Sequence, residues 1–208
     1  MTENATEKGY KPAQQARSRR TEQKFLDAAE ASFAKYGFAG ARVADIISAS
    51  GCSTGSFYHR FADKRDVFDV MLERLYDTLG ADALAVDLAR ATHGDVQTLL
   101  SHYAERSFAI VQDHAGFYRA AYEISAQDPE VWNRLKGLTL IIGKRVAGIA
   151  HEYADEIKAE DKQVALQHAI QVIITMAVHV TLGSGPLFPD DPTELRDVVV
   201  KAALGVLR

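Results

Sequence analysis

The chain has 208 residues, 47% of them hydrophobic and 25% charged, with a formal net charge of −4. That composition supports a buried core and excludes wholesale disorder, and its mildly acidic balance excludes a general nucleic-acid coat protein. A single cysteine, Cys52, excludes an intrachain disulfide and any cysteine-based zinc site. The first twenty residues hold no apolar run, so no secretory signal is expected. The most apolar stretch, Val164 to Leu182, is interrupted by Gln167, His168, Gln171, Thr175, His179 and Thr181. It reads as too polar for a membrane span, and a soluble cytoplasmic protein with no membrane partner is expected. Charge divides the chain unevenly. Residues 1–66 carry 11 basic and 8 acidic groups, and the rest carries 13 and 20. A basic head on an acidic body points to a polyanion partner for the head.

The elements in chain order are all helical, because long proline-free stretches show helical periodicity and alternating β-branched runs are missing. Residues 1–16 read as a flexible polar tail. The first helix is expected from about Arg17 to Tyr36, with Phe25, Leu26, Ala29 and Phe33 on one face and Gly37 ending it. A short helix, Val43 to Ser50, stops at Gly51, and a second follows the N-cap Ser53 and ends near Arg60. Asp63 caps a longer helix striped with Val67, Phe68, Met71, Leu72, Leu75 and Leu79. After Gly94 comes the stripe Val96, Leu99, Leu100, Tyr103, Ala104, Ser107 and Val111, and then a short aromatic-rich helix from Phe117 to Ile124. Asp128-Pro129 opens a helix carrying Val131, Leu135, Leu138, Ile142, Ile149 and Tyr153. The Glu-rich segment 152–160 reads as a solvated helix end. Val164 to Leu182 is apolar almost all round and is expected to be buried on more than one side. A loop covers Gly183 to Pro189, and Asp191-Pro192 starts the last helix.

Two short helices joined by the tight Gly51-Cys52-Ser53 turn form a helix-turn-helix plan, in which the second helix enters a DNA major groove. Phe57 and Phe61, four residues apart, anchor that helix and leave Thr54, Gly55, Ser56, Tyr58, His59 and Arg60 to face outward, and with the N-cap Ser53 these are the candidate DNA-binding residues of the helix. Hydroxyl, phenol, imidazole and guanidinium groups suit phosphates and base edges. Gly55 inside a helix suggests close approach to another surface. Arg17, Arg19 and Arg20 read as a solvated basic cluster, with a minor-groove arm as the alternative. Cys52 reads as a buried small residue rather than a redox sensor.

The run from Ala28 to Phe68 resembles the DNA-binding domain of the TetR family of bacterial transcriptional regulators. The matching residues are Ala28-Ala29, Phe33-Ala34, Gly37-Phe38, Val43, Asp45-Ile46, Gly51-Cys52-Ser53, Gly55, Phe57-Tyr58, Arg60-Phe61, Lys64 and Phe68, without a gap. Ala41 and Arg42 stand where the family usually has hydroxyl residues, Cys52 where valine is usual, and Ile47 where alanine is common. The lost side-chain cap leaves Arg42 to contact phosphate. The family pattern also implies a phosphate contact from Lys64. The resemblance implies an all-α protein: a three-helix DNA-binding domain over 17–66, and a helical ligand-binding and dimerisation domain over 67–208. It further implies a homodimeric repressor that binds a palindromic double-stranded operator and leaves it when a small effector binds.

Met71, Leu75, Tyr103, Phe117, Tyr118, Tyr122, Trp132, Met176 and His179 are the candidate lining of the effector pocket. Such a lining favours an apolar or amphipathic molecule. No metal and no other cofactor is expected: His168 and His179 lie eleven residues apart, too far along a helix to share an ion. An enzyme is disfavoured because no phosphate loop or nucleophile pair appears. A helical adaptor without DNA would leave the polar groups of 54–64 unexplained.

Overall fold

The computed structural model describes residues 10–183 and 187–208, with side chains from residue 15 onward. Residues 1–9 of the expected tail 1–16 and the centre of the expected loop, 184–186, lie outside the described residues, and residues 10–16 of that tail are helical. Among the described residues the chain forms ten α-helices and no strand.

The head is built from α1 (Tyr10–Gly40), α2 (Val43–Ser50) and α3 (Thr54–Tyr58). Helical backbone begins at Tyr10, seven residues before the start expected from periodicity. Gly37 breaks α1, with φ 70° and ψ 175°, a conformation that a side chain resists. Phe25, Phe57 and Phe61 pack edge-on or tilted, with ring centroids 5.3 to 6.0 Å apart, and fix α3 against α1. These rings exclude water from the one core the small head has, at a favourable aromatic geometry.

The body comprises α4 (Lys64–Ala85), the single turn α5 (Arg90–His93), α6 (Val96–Asp113), α7 (Ala115–Ser125), α8 (Pro129–Ile149), α9 (Lys162–Thr181) and α10 (Pro192–Gly205). Asp63, Asp95, Asp128, Asp161 and Asp191 each accept backbone N–H bonds as N-caps, which sets the start of five of these helices. Segment 152–160, expected as a solvated helix end, is instead anchored in the core through its first half. Tyr153 and Ile157 are fully buried there, the Tyr153 hydroxyl donates to the Leu88 carbonyl at 3.0 Å, and Arg90 pairs with Asp155 and Glu156.

By length and composition α9 is apolar enough to cross a bilayer, contrary to the sequence expectation. It packs as a core helix against α6, α8 and α10 through Leu166, Ala169, Ile170, Ile173 and Ala177. Its outward stripe is Val164, His168, Gln171, Thr175 and His179. The all-round apolar reading therefore fails on one side, where four of the five outward residues are polar.

Head and body meet where α1 crosses α7. Gly116 makes this crossing possible, because a Cβ there would run into the Glu30 carbonyl and the Ala34 amide. The Glu30 carboxylate accepts the free N–H groups of Gly116 and Phe117 at the start of α7, at 2.5 and 3.0 Å. Going the other way, Glu123 accepts the Ala39 N–H just after the kink at 2.9 Å, and Arg119 donates to the Ala34 carbonyl. Phe68 of α4 stacks face to face on Phe117 of α7, centroids 5.2 Å apart at 4°. A further tie is the 2.7 Å ion pair of Arg65 with Asp128.

Candidate nucleic-acid interface and ligand cavity

Ser53 caps α3 by accepting the Ser56 N–H at 3.2 Å. Phe57 is fully buried, so the five-residue helix has a fixed rotation about its axis. That rotation leaves Ser53, Thr54, Gly55, Tyr58 and His59 exposed, with Tyr58 58% exposed and Ser56 half-buried. A Cβ on Gly55 would meet nothing within 4 Å, so nothing inside the chain demands a glycine there. These residues form one contiguous outward face of small and polar groups.

The structure separates Arg60 and Lys64 from this face. Arg60 donates to the Ser56 carbonyl and hydroxyl at 2.9 and 3.1 Å, and to the Ser18 hydroxyl at 3.2 Å. It ties α3 to α1 instead of reaching outward. Lys64 is committed more fully: its ammonium donates to the carbonyls of Phe38, Ala41 and Ala39 at 2.6, 2.9 and 3.2 Å, and sits 4.7 Å from the Phe38 ring centroid. An ammonium has three protons, and all three are used. In this structure Lys64 thus acts as a staple across the end of α1, beside the phosphate contact expected from the family pattern. Arg42 has no side-chain cap to offer α2; its guanidinium is well exposed and pairs with Asp45 at 2.8 Å. Arg17, Arg19 and Arg20 are exposed on helical backbone, on the stretch that Ser18 joins to Arg60. Cys52 is half-buried.

The second feature is a cavity of about 180 Å³ in the body. It lies among α4, α6, α7, α8 and α9 and is mostly apolar, with walls that include Leu79, Val86, Ile110, Leu135, Ile142 and Ile174. Of the nine expected lining residues, Tyr103, Tyr118, Trp132 and His179 border it. Burial pushes the Tyr118 phenol up to about 12, and the Tyr103 phenol is raised by the same cause, so both stay neutral donors.

The other five expected residues are not in the wall. Met71 and Leu75 are buried in closed core, because the cavity begins one turn further along α4, at Leu79. Phe117 is spent on its stack with Phe68. Tyr122 is 63% exposed, on the face of α7 turned away from the core. Met176 packs on the core without reaching the cavity.

The sequence reading also missed the charged part of the wall: Asp82 and Arg106, paired at 3.0 Å, and Lys136. It missed Glu30 and Glu123 as well. Glu30 left a signal, since an acid lies inside the apolar stripe between Leu26 and Phe33. Burial raises its pKa, opposed by the two N–H bonds from Gly116 and Phe117.

A three-helix head whose short third helix stands clear of the core, on an all-helical body, defines a helix-turn-helix protein. Residues 25–71 match the family model described as bacterial regulatory proteins, tetR family. The matched stretch runs from the middle of α1 through α2 and α3 into α4, so it is the head of this chain that is similar to that family. Over 103 residues the chain is 34% identical to the HTH-type transcriptional repressor KstR2 of Mycobacterium tuberculosis, in two strains. That match covers 50% of this chain and 50% of the relative, so the chain spans about half the length of the curated relatives it matches.

Whole-fold likeness extends further. A tetR-family regulatory protein from Rhodococcus RHA1 superposes with a TM-score of 0.67 at 17% identity, over 90% of this chain and 96% of the other. A tetR-family regulator from Mesorhizobium loti gives 0.62 at 18% identity, over 91% and 98%. At those identities the likeness is one of fold.

Proposed function

We propose that the protein is a DNA-binding transcriptional regulator, acting as a homodimeric repressor on a palindromic operator and released by a small apolar or amphipathic ligand. The observation that carries this is the outward face of α3, where Thr54, Tyr58 and His59 stand exposed on a helix pinned by Phe57. Side chains of this kind serve both phosphate and base-edge contacts in a major groove. The domain division follows the same reading: residues 17–66 bind DNA, and 67–208 bind the ligand and a second copy. The dimer surface is assigned to α9 and α10, whose exposed faces include Val164 and Val198. Two-fold symmetry in the protein then matches two-fold symmetry in the operator, with recognition helices about 34 Å apart.

Control requires elements that touch both sites. Two are available. Helix α4 starts beside the head at Lys64 and borders the cavity at Leu79 and Asp82. Helix α7 borders the cavity with Tyr118, while its preceding residues Gly116 and Phe117 are held by Glu30 of α1. A ligand that shifts either helix alters the spacing of the recognition helices.

The test is a gel-shift with genomic fragments that include the DNA upstream of the protein's own gene. Selective retardation of a fragment containing an inverted repeat supports the proposal; no selective retardation overturns it. Sedimentation showing a monomer at micromolar concentration with DNA binding intact would remove the dimer.

A further inference from the structure

Resting on the reading of the cavity as an effector site, we infer that it takes a small monoanionic amphiphile, a carboxylate on an apolar body, whose anion competes with Asp82 for Arg106. Asp82 of α4 and Arg106 of α6 meet at 3.0 Å in the cavity wall. Their side chains are 46% and 38% exposed, so the pair is open to an entering molecule. Lys136 borders the same cavity and has no carboxylate partner among the described residues. With Arg106 neutralised by Asp82, the wall carries an excess of one positive charge.

The rest of the wall is mostly apolar, with Ser107, Thr139, Gln171, Thr175 and His179 as its polar members, so the exposed Lys136 ammonium attracts an anion while the apolar surface holds the body that carries it. A cation meets the opposite situation, since Asp82 is already paired and Lys136 repels it. Carboxylate is favoured over the more highly charged phosphate because one negative charge balances the single excess positive charge of the wall, and a guanidinium can hold it through two parallel N–H bonds. The cavity is smaller than the roughly 300–1,000 Å³ of pockets that enclose drug-sized ligands, so the apolar body is short. Competition has a mechanical consequence. Drawing Arg106 towards a ligand loosens the tie between α6 and α4, and α4 is the helix that begins at the head.

The experiment is calorimetric titration of the full chain with octanoate, methyl octanoate and octylamine, which share a chain and differ in charge. Octanoate is expected to bind one molecule per chain, about tenfold or more tighter than the other two, as a charge-assisted contact provides. Arg106→Gln should abolish that preference, and Lys136→Gln, at an exposed position, should reduce it. Asp82→Asn should tighten octanoate binding, whereas a merely structural pair would leave it weaker or unchanged. Circular dichroism of each variant checks the fold. If methyl octanoate or octylamine binds as tightly as octanoate, the anion preference is overturned while the cavity remains an effector site. If none of the three binds, the effector site itself is overturned.

Discussion

Lys64→Ala separates two roles for one residue: a phosphate contact, expected from the family pattern, and a staple, seen in the structure. The substitution removes a cation from three carbonyls at the end of α1, at 2.6, 2.9 and 3.2 Å. Those carbonyls follow the break at Gly37, where helix ends leave acceptors without intrahelical donors. Hydrogen bonds to charged groups contribute about 1.5–3 kcal/mol where water is excluded. Two of these three are part-buried and one is exposed, so water replaces some of the loss. A total near 2 kcal/mol is expected for the variant, on the same scale. At about 2–4 °C per kcal/mol for a chain of this length, the melting temperature falls by about 4–8 °C. The assay pairs a thermal melt with anisotropy titrations of duplex DNA over a range of salt. The staple predicts a lower melting temperature and an unchanged salt slope. A phosphate contact predicts an unchanged melt and a slope smaller by about 1. The second pattern would refute the staple.

Three further outcomes follow from the head–body contact and the cavity. Gly116→Ala puts a methyl into the backbone of α1 and should cost about 1–3 kcal/mol, read as a lower urea midpoint; an unchanged midpoint would mean the helices cross less closely. Glu30 has a folded pKa raised above its usual 4.5 by burial, so above that value the native state holds a proton the unfolded chain has released. Stability from this group therefore falls as pH rises from about 4.5 through the raised value and is flat beyond it; Glu30→Gln should remove that slope in urea titrations, and an unchanged pH profile would contradict it. Tyr122→Ser should leave ligand affinity unchanged while Tyr118→Ala lowers it, measured by calorimetry; the reverse order would relocate the cavity wall.

Local rules made most of the helices legible. The caps at Ser53, Asp63, Asp128 and Asp191, the break at Gly37 and the apolar stripes of α1 and α4 are each set within a few residues of sequence. The outward face of α3 was legible for the same reason, because Phe57 and Phe61 fix its rotation. What escaped depends on partners distant in sequence. Lys64 was expected to contact phosphate, and the carbonyls that hold it lie 23 to 26 residues away in sequence. Tyr122 and Phe117 resembled pocket residues because aromatic character does not say which side of α7 faces the cavity. The Asp82–Arg106 pair joins residues on separate helices, and no periodicity marks it. Glu30 alone among these left a trace, an acid within an apolar stripe, and its partners are the N–H groups of a helix 86 and 87 residues away.

The most direct measurement is operator binding by the double variant Tyr58→Ala, His59→Ala, compared with the unaltered chain by fluorescence anisotropy on the fragment selected in the gel-shift. Both side chains are exposed, and Tyr58 touches the core only through an edge-on contact with Phe57, centroids 5.3 Å apart, so the melting temperature should fall by no more than about 4 °C. Operator affinity should fall by about tenfold or more, while the weaker binding to unrelated duplex changes little. A folded double variant that binds the operator as tightly as the unaltered chain would contradict recognition through α3.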